Sequence, residues 1–146
     1  VPAARIVELE ESATTDPDGP LVMRYRFEAR MNQRLTMGLF PVRPGRNFAS
    51  LQNRANDVQV ELPVNQILDL ELTGEVPFEL EGAGGTWVSK GARYTSKIEH
   101  RNERLALRSE MHIDGGILKR KDYEQFARWG REVDAAEQVV LTRRNQ

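Results

Sequence analysis

The chain has 146 residues, 29% of them charged, with a formal net charge of −1 and no cysteine. That length suits a single domain able to bury roughly two-thirds of its unfolded surface. The balanced charge steers the chain towards neither nucleic acid nor anionic lipid, and the missing cysteine excludes disulfides, thiol nucleophiles and thiolate metal sites. No apolar run is long enough to cross a bilayer as a helix, and Val1-Pro2-Ala3-Ala4-Arg5 lacks the pattern of a signal peptide. With Val1 in place of a Met, the sequence reads as one domain, 1–146, excised from a longer chain.

Period-two alternation dominates from the start. Arg5–Glu11 reads as a first strand. In Leu21–Met31 the odd positions Leu21, Met23, Tyr25, Phe27, Ala29 and Met31 are apolar, while Arg24, Arg26, Glu28 and Arg30 take the other face. Leu35–Phe40 keeps Leu35, Met37 and Leu39 in phase. A three-residue loop Asn32-Gln33-Arg34 then predicts a hairpin with Met31 opposite Leu35, Ala29 opposite Met37 and Phe27 opposite Leu39. Pro41–Asn56 shows no period and reads as a loop. Shorter strands follow at Val58–Leu62, Leu68–Leu72, Phe78–Glu81 and Thr86–Lys90, the last after the turn Gly82-Ala83-Gly84-Gly85.

A second hairpin is predicted over Arg93–Ile113. A two-residue loop at Asn102-Glu103 pairs Ile98 with Leu107, Ser96 with Ser109 and Tyr94 with Met111. On the other face Lys97 opposes Arg108, with Glu110 and Glu99 on the diagonals to offset the repulsion. Asp114–Lys121 connects this hairpin to one amphipathic helix capped by Asp122, with Gln125 as a weaker capping-box partner. Its stripe is Tyr123, Phe126, Ala127, Gly130 and Val133, with Trp129 at the edge. Gln138–Thr142 returns as a strand. The expected fold is mainly β: an antiparallel β-sandwich of about nine short strands with one C-terminal helix packed on it.

Few residues suggest chemistry. Asp16-Pro17-Asp18-Gly19 has part of a calcium loop but lacks the distal Glu, and Asp, Pro and Gly are ordinary turn formers. The Gly82–Gly85 turn lacks the Lys and the helix start of a phosphate loop. The predicted register puts His100 opposite Leu105 and His112 opposite Arg93, on opposite faces, so the two histidines cannot share a metal. Asp69, Glu71, Glu79 and Glu81 alternate as a solvated face does. Arg24, Arg26 and Arg30 form a basic stripe, interrupted by Glu28, that would suit an acidic partner. Trp87, beside the Gly-rich turn, is the one aromatic expected to be exposed. These four residues, Arg24, Arg26, Arg30 and Trp87, are the candidate interaction face. No catalytic, cofactor or metal residues are expected.

Several segments carry a resemblance to a known family: Val58-Gln59-Val60-Glu61-Leu62-Pro63, then Phe78–Lys90, then Ala92-Arg93-Tyr94 through to Met111. The most specific are Lys121-Asp122-Tyr123-Glu124-Gln125-Phe126-Ala127-Arg128-Trp129 and the terminal Gln138-Val139-Val140-Leu141. From Asp57 onwards the chain resembles the C-terminal β-rich domain of bacterial transglutaminase-like proteins. In that family the catalytic Cys-His-Asp belongs to a separate core. The resemblance therefore implies a non-catalytic accessory domain that contacts a neighbouring transglutaminase-like domain or another envelope protein outside the cytoplasm. A free-standing β-sandwich that binds a small ligand or carbohydrate is the alternative.

Overall fold

In the computed structural model the described residues are 4–12, 21–29, 34–51, 54–74, 78–82, 84–101 and 104–143. They form two compact units, Val1–Gln33 and Arg34–Gln146. The fold is mainly β, with eleven strands among the described residues, all in antiparallel sheets, and two helices.

The first unit holds a two-stranded sheet of β1 (Ala4–Ser12) and β2 (Val22–Ala29). Its register places Arg5 opposite Glu28, Glu8 opposite Arg26 and Glu10 opposite Arg24. A bulge between Ile6 and Glu8 shifts the phase of β1. Two residues then face one, so Leu9 joins Ile6 on the side of Tyr25 and Phe27. The loop 13–20, with its Asp-x-Asp-Gly fragment, lies outside the described residues, as do Arg30 and Met31.

This pairing corrects the predicted hairpin of Leu21–Met31 with Leu35–Phe40. β3 (Arg34–Gly38) pairs instead with β11 (Gln138–Arg143), with Met37 opposite Val139 and Leu35 opposite Leu141. The physical reason is charge. The predicted register would set Glu28 against Gly38 and leave the arginines of β2 without acidic partners, whereas β1 supplies Glu8 and Glu10. Val139 and Leu141 are buried and give β3 the apolar partners the local hairpin would have provided.

In the second unit the main sheet has the order β5-β9-β8-β7, with β5 at Val64–Thr73, β7 at Gly85–Ser89, β8 at Ala92–Arg101 and β9 at Arg104–Ile113. The β8–β9 register is the predicted one: Ile98 with Leu107, Ser96 with Ser109, Tyr94 with Met111, and the ladder continues to Arg101 opposite Arg104. β7 and β8 join through Lys90 and Gly91, whose φ of 69° suits glycine. β6 (Phe78–Glu81) flanks β11 on the side away from β3. β4 (Val58–Val60) pairs with β10 (Gly116–Leu118), a strand inside the predicted connection. Separate antiparallel sheets of this kind make the unit sandwich-like.

The helix α2 (Arg120–Ala136) packs its predicted stripe inwards. Tyr123, Phe126, Ala127, Trp129, Gly130 and Val133 are all buried. They share one core with Ala92, Tyr94, Met111 and Ile113 from β8 and β9, and with Val58 and Val60 from β4. The helix opens two residues before the expected Asp122. Lys119 does not cap the helix N–H groups with its own side chain; the Arg120 N–H donates to Asp57 Oδ1 at 2.7 Å while Lys119 Nζ reaches Oδ2 at 3.1 Å. Asp122 instead pairs with Lys90 at 2.8 Å. A cap can come from anywhere in the chain that brings a carboxylate to the orphan N–H groups.

Within the predicted loop 41–56 lies α1 (Pro44–Phe48), a single turn with Pro44 at its start. It crosses α2 with backbone against backbone. A Cβ on Gly130 would stand 2.8 Å from Gly45 N, and one on Gly45 would stand 2.9 Å from Gly130 C. Asp134, one turn along α2, accepts from Gly45 N–H at 3.0 Å and Arg46 N–H at 2.9 Å. Further along, the Tyr123 hydroxyl donates to Leu51 O at 2.8 Å, and Arg54 lies over the Tyr123 ring.

In an open helix, Gly130→Ala would stabilise by up to about 1 kcal/mol. Here the added methyl meets backbone, and the expected outcome is the opposite: a loss of about 2 kcal/mol in urea unfolding. A gain in stability would show that α1 does not sit against α2 at this point.

Candidate functional site

Of the four residues singled out from sequence, Arg24 and Arg26 lie on one face of β2, Trp87 lies on β7, and Arg30 is outside the described residues. Arg26 is exposed and lies 4.0 Å from Glu8, and Arg24 stands opposite Glu10. The basic stripe of β2 is thus matched by an acidic stripe on β1. Trp87, expected to be exposed, is half-buried. It packs against Tyr94 with ring centroids 5.4 Å apart and covers Gly85, so it belongs to the rim of the core. Its place on the inner side of β7 follows from pairing with Tyr94, which is fully buried.

The other face of the hairpin is its most unusual surface. Ile6, Leu9, Met23 and Tyr25 are each more than half exposed, at 62%, 58%, 54% and 53%, although they sit side by side in the ladder. Single exposed apolar residues are ordinary; a contiguous set on one sheet face is a feature of surfaces that meet partners.

The outer face of the main sheet carries ion-paired charges, with Ile67 and Val88 exposed among them. Lys97 does oppose Arg108. The repulsion is relieved along the strands and from β5: Lys97 pairs with Glu99 at 2.6 Å, and Arg108 with Glu110 and Asp69, each at 2.8 Å. Those two partners, Glu110 above all, hold the Arg108 guanidinium still more firmly in its charged form. Arg104 reaches Glu71 at 3.0 Å. His112, on this face, lies between Asn65 and Asp114, with Nε2 2.8 Å from Asp114 Oδ1. An open groove of about 400 Å³ runs over Gly85, Thr86, Thr95, Lys97, Arg108 and Glu110. Among the described residues no cluster of three or more His, Asp or Glu is arranged to hold a metal.

A buried polar cluster lies on the opposite side of the sheet, and sequence reasoning missed it. Glu137, the C-cap residue of α2, is 1% exposed, and among the described residues neither of its carboxyl oxygens has a hydrogen-bond partner. Its backbone is fixed at both ends, the N–H to Val133 O at 2.8 Å and the carbonyl accepting from Leu39 at 3.2 Å. Burial pushes this carboxyl up to about 8, the charge of Asp134 adds to the rise, and Arg43 pulls it back. Nearby, Ser96 and Ser109 share a hydroxyl hydrogen bond of 2.9 Å inside the sheet. The Tyr94 hydroxyl is raised by burial, drawn down by Ser109 and Ser96, and raised further by Glu137. One signal was legible: two acids in the last turn of a helix, where basic residues are usual.

The chain matches no family model, no curated protein and no solved structure.

At neutral pH the Glu137 carboxyl is mostly protonated, and the chain's stability should report it. Between the ordinary value of 4.5 and about 8 the folded state holds a proton that the unfolded chain has lost. Stability is therefore greatest below that window, falls as pH rises through it, and levels off above it, by at most about 1.4 kcal/mol per unit. Glu137→Gln should remove this slope in urea titrations at several pH values. An unchanged slope would place the proton elsewhere.

Proposed function

We propose that this chain is a non-catalytic interaction domain. The observation that supports the reading is the apolar side of the β1–β2 hairpin, where Ile6, Leu9, Met23 and Tyr25 stand exposed next to one another. A two-stranded hairpin has too little surface of its own to be stable in water, and a covering partner supplies what it lacks. The ion-paired outer face of the main sheet fits the same role, since its charges are engaged with each other. Resemblance to the C-terminal domain of transglutaminase-like proteins makes a bacterial transglutaminase-like domain, working in the cell envelope, the partner to test.

The groove over Thr86, Thr95 and Lys97 favours a second reading, a small polar ligand such as a sugar. It is shallow, its cations are already paired, and Trp87 faces the other way.

Titration of the chain with a purified transglutaminase-like domain separates the two. Micromolar binding, weakened roughly tenfold or more by Leu9→Asp with Tyr25→Asp, is the expected result. Absence of binding, together with thermal stabilisation by a sugar that Thr95→Trp abolishes, would overturn it in favour of the groove.

A further inference from the structure

The hairpin and the main sheet each end in an unprotected edge, and the two edges are complementary. Among the described residues β5 is bonded to β9 alone and forms one edge of the main sheet. Its ten residues keep an unbroken register and contain no Pro, Gly, Lys or Arg, the devices by which edge strands usually avoid pairing. Asp69 and Glu71 are its charges, both on the outer face, while Leu68, Leu70 and Leu72 alternate with them, half-buried. β2 is likewise bonded on one side only among the described residues. It carries the opposite pattern, Arg24 and Arg26 alternating with Met23, Tyr25 and Phe27.

We propose that β5 is a docking edge for β2 of a second copy of this chain. An antiparallel register with Arg24 opposite Glu71 and Arg26 opposite Asp69 sets Met23 against Leu72, Tyr25 against Leu70 and Phe27 against Leu68. Both arginines meet carboxylates, and Met23, Tyr25 and Phe27 meet leucines on the same face, while Glu28 falls opposite Ile67; a slip of one residue would put the arginines on the leucines. Two alternative edge pairings fail on sign. β1 presents Glu8 and Glu10 to the acids of β5, and β5 against β5 sets acid on acid. In the proposed sheet the rows alternate: acidic β1, basic β2, acidic β5, then basic β9 with Arg104 and Arg108. Each carboxylate of β5 thereby lies between two guanidiniums, where it now meets one. Reciprocal exchange, each copy's β2 on the other's β5, satisfies both edges and closes as a two-fold dimer. Edge pairing uses the backbone rims of β2 and β5 and leaves the apolar face of the hairpin for the partner proposed above, so either reading can fail alone.

Light scattering on the full chain over a range of concentrations tests the exchange. A dimer is expected. Asp69→Arg with Glu71→Arg should weaken it roughly tenfold or more, and Arg24→Glu with Arg26→Glu should do the same. Circular dichroism shows that each variant is folded. Because the chain has no cysteine, Tyr25→Cys with Leu70→Cys gives a second readout. Opposed strand residues stand about 5 Å apart, close enough for a disulfide, so a covalent dimer should appear on a non-reducing gel. A chain that stays monomeric, a dimer indifferent to the charge reversals, or a disulfide formed within one molecule would overturn the proposal.

Discussion

Two glycines in backbone contact hold the second unit in its arrangement. Gly45 and Gly130 approach so closely that neither position has room for a methyl group, and Asp134 fastens the same crossing by accepting two N–H groups of α1. From this point residues 43–51 and 54–57 are tied to α2, where Leu51 receives the Tyr123 hydroxyl and Asp57 reaches the opening turn of the helix. A segment without apolar periodicity is thus ordered by polar and backbone contacts to one helix. Through that helix it is tied to the inner face of β8 and β9.

The position of Glu137 follows from the same crossing. The helix must run to its last turn to present Asp134 to α1, and the chain then turns at once into β11, which pairs with β3 and β6. The C-cap residue is buried at this turn, bonded to Leu39 and Val133 and close to Arg43 and Tyr94. A carboxyl held there with no hydrogen-bond partner among the described residues is costly in its charged form, which is why burial dominates its shift. The fold thereby carries a group that titrates near neutrality in a place where its charge acts on packing and on the neighbouring Tyr94 hydroxyl.

Charge is organised differently on the two sides of the molecule's sheets. Outer faces carry alternating acids and bases whose partners lie on the neighbouring strand, as with Glu8 and Arg26 or Asp69 and Arg108. Exposed pairs of this kind contribute little to stability, but they fix register and decide which strand edges accept one another. In the proposed associations the edge would select by sign and the apolar face by area.

Much of this architecture was determined by the sequence itself. The register of β8 on β9, the buried stripe of α2 and the return of β11 follow from alternation of period two or 3.6, which each segment carries within itself. What tertiary structure alone decided depends on residues far apart in the chain. β3 and β2 are neighbours in sequence and parity allows them to pair, yet each takes a distant or better-charged partner, Val139 and Leu141 for one, Glu8 and Glu10 for the other. Asp57 caps a helix that begins 63 residues later, Gly130 matters because Gly45 lies on it, and Glu137 is buried where Leu39, Arg43, Tyr94 and Val133, from separate parts of the chain, meet it. Trp87 joins the core because β7 lies at the edge beside Tyr94. Local pattern specifies which face of a segment is apolar; only the assembled chain determines what covers it.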